Sequence, residues 1–560
     1  MAGPWTFGRP RRTFVADLKP NRSSAVPCPL PTVKAMRSAI LVLAAASVLA
    51  ACSAPAPSTQ DIRTAAVGPL VRTADGALRG TSDGDVLRFR GVPYAQPPTG
   101  NLRWAPPAAV RPWAGERAAD RSGPQCPQGT GTDEDCLHLD VTVPAARYDP
   151  ARPRPVMVWL HGGGFSGGTG TDVDPRRLAA RGDVVVVTVD FRIGVLGNLA
   201  VPGMTDGGTF GLQDQQAALA WVQRSAAAFG GDPGNVTLFG QSGGAVAVCG
   251  QLTSPAARGL FAKAILQSGS CDTTLAANAA GPGTPAFGSF WRPLATAERS
   301  GLQVAAALGC HDQAAVLTCL RGLPVDRLLT QTGAVTAAAF GGRTLPGDPR
   351  TAPPARPGRP VLSGTTSDEQ RLVSGTYRLL GKPITEAQYP ELLKAGFGAD
   401  ADAVAREYPV GGSAEAAWAA VYTDSGFVCP QVRTDDRLAA HGPVTGYEFA
   451  DRTAPPLIPA TPGFEPGASH AADLFYLFDI KDRPLHLDGS VYGLTAAQQA
   501  LAAVVVDAWG AFAHTGTPGA WPAWHGPGSA VHRFTADAAH PATTVVADAH
   551  HCAFWQRITR

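Results

Sequence analysis

Residues 236–252 read VTLFGQSGGAVAVCGQL. A short apolar run leads into a serine with glycine near it on both sides, and a second apolar stretch follows. The G-x-S-x-G pattern is weak alone in a chain with 64 glycines, but here its setting is strand, tight turn, helix. That setting constrains the fold strongly. The strand must end at the sheet edge and the helix must start at once. The Ser242 hydroxyl is thereby lifted above the sheet, beside a helix N-terminus that favours negative charge. The flanking glycines avoid the Cβ clash that so sharp a turn would otherwise produce.

Other apolar runs predict further buried strands: 156–160 (VMVWL), 184–189 (VVVVTV) and 262–266 (AKAIL), with weaker ones at 360–362 and 444–449. Helical patterns fill the intervals, over 212–229 and 495–512. Strands alternating with helices imply an α/β chain with a mostly parallel sheet covered on both faces. Residues 271–360 are Gly/Pro/Ala-rich and irregular, which suits a cap-like excursion over that scaffold. No internal repeat or clean domain break is apparent. No segment outside the N-terminal region reads as a bilayer span.

Charge is balanced only on the surface of the count. Lys+Arg total 47 and Asp+Glu 45, but residues 1–51 hold seven basic groups and one acid. The remaining 40 basic and 44 acidic groups give residues 52–560 a net −4. Such a body has no electrostatic footprint for nucleic acid. Residues 36–52 read MRSAILVLAAASVLAAC: a short positive start, 13 apolar residues too few to span a bilayer, and a Leu-Ala-Ala-Cys end. This is the form of an export signal over 36–51, and its end resembles a bacterial lipobox with Cys52 as the lipidated residue. Residues 1–35 stand awkwardly before such a signal, and translation from Met36 is the expectation. Residues 52–67 then hold the anchor and a polar tether, and 68–560 the main domain.

After the strand VMVWL comes His161-Gly162-Gly163-Gly164-Phe165. Consecutive glycines let backbone N–H groups converge on one point, as in the HGGG loop of lipases and esterases. Gly163, Gly164 and Gly243 are the expected oxyanion donors. A serine needs a base, and the base an orienting acid. Among twelve histidines the best base is His470, on a loop (GASHAAD) just before an aromatic run. The acid lies in Gly364–Glu369 (GTTSDE), where Asp368 and Glu369 are adjacent and chemistry does not choose between them. The chain order is Ser, acid, His.

Beyond Cys28 and Cys52, eight cysteines remain, an even number that suggests disulfides in an exported chain. No pair has the C-x-x-C spacing of a zinc site, and the chemistry requires no metal or organic cofactor.

Several stretches are long enough to carry a family resemblance. FRGVPYAQPPTGNLRWAPP (89–107), EDCLHLDVTVP (134–144), FGGDPGNVTLFGQSGGA (229–245) and AILQSGS (264–270) resemble the type-B carboxylesterase/lipase family, the cholinesterase-like branch of the α/β-hydrolases. The resemblance runs from about residue 68 to the C-terminus and implies that fold, with long cap-like insertions. It implies Ser242 as nucleophile, Glu369 rather than Asp368 as acid, and His470 as base. It also implies disulfides Cys126–Cys136, Cys310–Cys319 and Cys429–Cys552, with Cys249–Cys271 left by subtraction. Three departures stand out. The elbow reads GQSGG where the family usually has GESAG, so Gln241 replaces an acid and Gly243 an alanine. The Cys126–Cys136 loop is nine residues without the aromatic that stacks on a choline group, which argues against a choline ester as preferred substrate.

The activity implied is carboxylic-ester hydrolysis through an acyl-enzyme, on a small-molecule ester, by an exported and lipid-anchored or secreted protein. A lipase, or a thioester or carbamate hydrolase, would use the same triad. A non-catalytic binding module is the contrasting class, disfavoured because Ser242, Glu369 and His470 are all present.

Overall fold

The computed structural model describes residues 68–145, 152–458, 461–479, 493–537 and 540–558. The export-signal reading of 36–51, the lipidation of Cys52 and the tether lie outside the described residues.

Eleven strands form the main sheet. In chain order they are β1 (Thr81–Asp83), β2 (Val86–Pro93), β3 (His138–Pro144), β4 (Arg154–Leu160), β5 (Val185–Val189) and β6 (Gly231–Gln241), then β7 (Lys263–Gln267), β8 (Val361–Thr366), β9 (Val444–Phe449), β10 (Val531–Phe534) and β11 (Ala542–Thr544). Their spatial order is β11-β10-β9-β8-β7-β6-β4-β5-β3-β2-β1. The seven strands from β10 to β5 pair in parallel, and antiparallel strands finish both edges. This is the α/β-hydrolase architecture.

The continuous apolar runs follow from this arrangement. Successive side chains of a strand point to opposite faces. In β4, Val156, Val158 and Leu160 join one core with Trp221 of α2 (Phe210–Ser225) and Val246 of α3 (Gly243–Thr253). Met157 and Trp159 join another with Leu178 of α1 (Arg176–Gly182) and Trp509 of α5 (Ala496–Thr515). Both faces are covered by helices, so every residue of β4 is apolar or packed. Strands β1 and β2 are only partly covered, and β3, buried at every residue but Asp140, interrupts its apolar residues with His138, Asp140 and Thr142. They leave no apolar run, which is why periodicity alone missed them.

Helix α5 starts with a capping box between Thr495 and Gln498 and ends at Gly516 in the left-handed region. By length and hydropathy alone its 20 residues could cross a bilayer, contrary to the sequence expectation. In the fold it is a core helix, with Val505, Val506, Trp509 and Phe512 buried against the sheet.

The 271–360 excursion is more ordered than its composition suggests. It holds helices Leu294–Ala307, Val316–Arg321 and Val325–Leu329. Their apolar faces make a small core with Trp104 and Phe210, closed by the Cys310–Cys319 disulfide. Cys126–Cys136, Cys249–Cys271 and Cys429–Cys552 are likewise disulfide-bonded. Disulfides at this density suit an extracytoplasmic protein.

The C-terminal bridge sits beside a buried charge network. His550 Nδ1 lies 2.6 Å from Asp424 and Nε2 2.8 Å from Glu448. Tyr408 donates to Asp424, Trp555 donates to the Tyr408 oxygen, and Arg533 donates to Glu448. Burial opposes a charge on His550, yet Asp424 and Glu448 outweigh it and push its pKa up to about 10. A folded pKa raised above the unfolded value of 6.5 stabilises fully below that value, and the contribution is lost as pH rises through about 10. Thermal midpoints measured from pH 6.5 to 10 should therefore fall more steeply for the wild type than for His550→Gln. Parallel curves would assign the network no charge-dependent role.

Candidate active site

Strand β6 ends at Gln241, and Ser242 occupies a left-handed conformation, φ 57° and ψ −124°. Such a conformation costs a non-glycine residue about 1–3 kcal/mol and persists only where its surroundings over-determine it. Here the Ser242 N–H donates to the Gln267 carbonyl at 2.8 Å, and the Ser242 carbonyl accepts from Val246 N–H at 3.0 Å. The two outer glycines are dictated by close approach. A Cβ on Gly240 would stand 2.8 Å from the Leu160 carbonyl oxygen, and one on Gly244 only 2.0 Å from it.

Because β4 and β6 are neighbours, the HGGG loop leaving β4 lies beside the elbow leaving β6. Gly164 N is 2.7 Å from the position a Cβ would take on Gly243. Glycine at 243 thus allows the loop to lie closer than alanine would. The N–H groups of Gly163, Gly164 and Gly243 donate to nothing among the described residues. His161 is not a catalytic candidate. Its ring stacks on Phe191 at 4.2 Å, Nδ1 donates to the Gly162 carbonyl at 2.9 Å, and burial pushes its pKa down to about 4.

The adjacent acids divide by direction. Glu369 is buried, accepts the Thr366 N–H on Oε1 at 2.8 Å, and brings Oε2 to 2.5 Å from His470 Nδ1. Asp368 points away. It pairs with Arg452 and Arg371 and accepts the Ala468 N–H at 3.1 Å. It thereby holds the loop that carries His470, while the His470 N–H donates to the Glu369 carbonyl at 3.1 Å. Phe427 packs on the imidazole at 5.1 Å between ring centres.

His470 Nε2 faces the elbow, 3.1 Å from the Gln241 side-chain amide nitrogen. With the Nδ1 proton turned to Glu369, Nε2 carries a lone pair and the amide donates to it. The Ser242 hydroxyl makes no hydrogen bond among the described residues, so the structure does not join Ser242 and His470 directly. Ser242 follows Gln241 directly in the chain, and a Cβ on Gly162 would stand 3.0 Å from the Gln241 amide oxygen and 3.3 Å from the Ser242 Cβ.

Two contributors escaped sequence reasoning. Gln267 accepts from Ser242 through its carbonyl, and its side chain donates to Asp473 at 2.8 Å. It thus ties the Ser242 turn to the His470 loop. Burial raises the Asp473 carboxyl to about 6, against the pull of that hydrogen bond, with the Glu369 charge adding to the rise. The signal was a polar residue ending the apolar run AKAIL, since a buried amide needs a partner.

Comparison with known proteins accords with this geometry. A model of the carboxylesterase family matches residues 67–555. The fumonisin B1 esterase of Sphingopyxis macrogoltabida is 37% identical over 481 residues, covering 80% of this chain and 82% of that protein. The para-nitrobenzyl esterase of Bacillus subtilis is 31% identical, covering 81% and 92%. A solved PNB esterase structure superposes with a TM-score of 0.67 at 30% identity, covering 85% of this chain and 97% of that one. The chain belongs to the carboxylesterase family and is a carboxylic-ester hydrolase.

Proposed function

We propose that Ser242, Glu369 and His470 form the catalytic triad and that the N–H groups of Gly163, Gly164 and Gly243 form the oxyanion hole. The observation that carries this reading is the 2.5 Å contact between buried Glu369 and His470 Nδ1, with Nε2 turned toward the elbow. Glu369 fixes the tautomer, so Nε2 is the free base. As Ser242 attacks the ester carbonyl, its proton passes to Nε2 and the Gln241 amide yields that position. The glycine N–H groups receive the negative oxygen, in a site where they need no reorganisation. His470 then protonates the leaving alcohol, and water repeats the sequence on the acyl-enzyme. Every proton is accounted for by Ser242, His470, water and the alcohol.

The substrate is a small-molecule carboxylic ester. The relatives are named for different esters, fumonisin B1 and para-nitrobenzyl esters, so the family admits varied alcohols. The aromatic-free Cys126–Cys136 loop speaks against a quaternary ammonium ester. We read 36–51 as the export signal, Cys52 as the lipid attachment site, and 68–560 as the catalytic domain held outside the cytoplasm by a short tether. Secretion without a lipid is the alternative.

Ser242→Ala should lower kcat by at least ~10³-fold with an unchanged thermal midpoint. Near-normal turnover would remove the assignment. Glu369→Gln should lower kcat by ~10²–10⁴-fold. Asp368→Asn, which keeps an acceptor for the Ala468 N–H, should lower kcat far less than Glu369→Gln and cost about 1–3 kcal/mol of stability as its ion pairs with Arg452 and Arg371 weaken. Kinetics and urea melts of the two variants separate the roles, and the opposite pattern would make Asp368 the acid.

A further inference from the structure

The oxyanion loop lacks the ladder bonds that hold a strand or helix. Gly163, Gly164, Phe165 and Gly168 all have positive φ, at 101°, 60°, 61° and 99°. Within the loop, the Gly163 carbonyl accepts from the N–H groups of Ser166 and Gly167 at 3.0 and 3.1 Å. The rest of its shape comes from outside. On one side the Phe165 carbonyl accepts from Gly194 N–H at 2.6 Å and from the Asn198 amide at 3.2 Å.

On the other side stands Gln128. Its amide nitrogen donates to the Gly168 carbonyl at 2.8 Å, and its amide oxygen accepts from the Gly168 N–H at 2.8 Å. One side chain thus satisfies both polar groups of one residue, as a neighbouring strand would. Gly168 in turn backs onto the residues just ahead of the donors. A Cβ there would stand 2.4 Å from His161 Nδ1 and 2.5 Å from the Gly162 carbonyl oxygen. A Cβ on Gly163 would stand 2.2 Å from the Gly167 carbonyl. Displacement of Gly168 is therefore felt directly at Gly162 and, through its neighbour Gly167, at Gly163.

Gln128 is itself held firmly. It lies in the ring closed by Cys126–Cys136, whose Cα atoms are 4.9 Å apart. Its carbonyl accepts from Gly131 N–H at 2.9 Å in a tight turn, and its amide donates a second time to the Cys126 carbonyl at 3.2 Å. Glu134 of the same ring makes a buried ion pair with Arg103.

We propose that Gln128 is a positioning residue that clamps the oxyanion loop, so that the short disulfide ring serves transition-state stabilisation by delivering an amide to Gly168. This rests on the assignment of Gly163 and Gly164 as donors and Ser242 as nucleophile. The oxyanion exists only after attack, so loosening the donors costs kcat and leaves substrate binding intact.

The experiment compares wild type, Gln128→Met and Gln128→Glu in the whole protein. Methionine keeps the length and removes both bonds. Glutamate still accepts from the Gly168 N–H but cannot donate to its carbonyl. The readouts are kcat and KM on a short-chain nitrophenyl ester, the thermal midpoint, and the inhibition constant of a trifluoromethyl ketone, to which the serine hydroxyl adds reversibly to give a tetrahedral oxyanion. Gln128→Met should lower kcat about 10–100-fold with KM nearly unchanged, and should weaken ketone inhibition by the same factor. Gln128→Glu should fall between, and it keeps the test available if the methionine variant does not fold. Ketone inhibition as strong as in wild type, a loss carried by KM, or a loss that only tracks the unfolded fraction would overturn the proposal. Ser242→Ala separates the two levels. If it binds the ketone as wild type does, the nucleophile assignment fails and the clamp with it. If it does not, but Gln128→Met does, only the clamp fails.

Discussion

The Leu160 carbonyl leaves no room for a Cβ on Gly240 or Gly244, and the site depends on that constraint. Strands β4 and β6 lie side by side in parallel, so their C-terminal ends open at the same edge of the sheet. One end turns into the glycine loop and the other into the serine elbow. The elbow can press against β4 only because both outer positions are glycine. That close approach places Gly164 against Gly243, and α3 begins at once after Ser242. The proposed nucleophile and three N–H groups that donate to nothing among the described residues are thereby brought together by strand adjacency.

His470, the proposed base, reaches this edge by a different route. His470 lies on a loop with little regular structure, held by charges and amides in addition to the core packing of Ala468, Ala471 and Ala472. Asp368, braced by Arg371 and Arg452, grips the loop at Ala468. Glu369 takes the imidazole, and Gln267 links Asp473 to the Ser242 amide. Phe427 packs on the ring from a turn that begins at Asp424, part of the His550 network. The positions of Ser242 and His470 are therefore coupled through buried polar groups, of which Asp473 keeps one carboxylate oxygen without a hydrogen bond among the described residues.

What could be read from the residues follows what local physics specifies. The elbow, the glycine loop and the central strands were readable because each has a local requirement: glycine at a close approach, or apolar residues on both faces of a strand. Strands β1 to β3 were not, since β1 and β2 are only partly covered and the apolar residues of β3 are interrupted by His138, Asp140 and Thr142. The helices of 271–360 were hidden by Gly and Pro in their connections, although Val304, Leu308, Val316 and Leu320 supply the apolar face that orders them. The choice between Asp368 and Glu369 is beyond local reasoning. It depends on which carboxylate faces a histidine 101 residues away, and only the family resemblance pointed to Glu369. The departure at Gln241 was visible as a missing acid, but its amide facing His470 Nε2 required the tertiary structure. Gln128 gave no signal, because an amide in a short loop has no preferred partner until the fold brings Gly168 to it.

The central claim is that the hydroxyl at the elbow is the atom that attacks the ester. Reaction of the intact protein with a fluorophosphonate, followed by peptide mass mapping, tests it most directly. The account predicts a single stoichiometric adduct, on the peptide containing Ser242, formed in step with loss of esterase activity. An adduct on a different residue that tracks the loss, or complete inactivation with Ser242 unmodified, would contradict it.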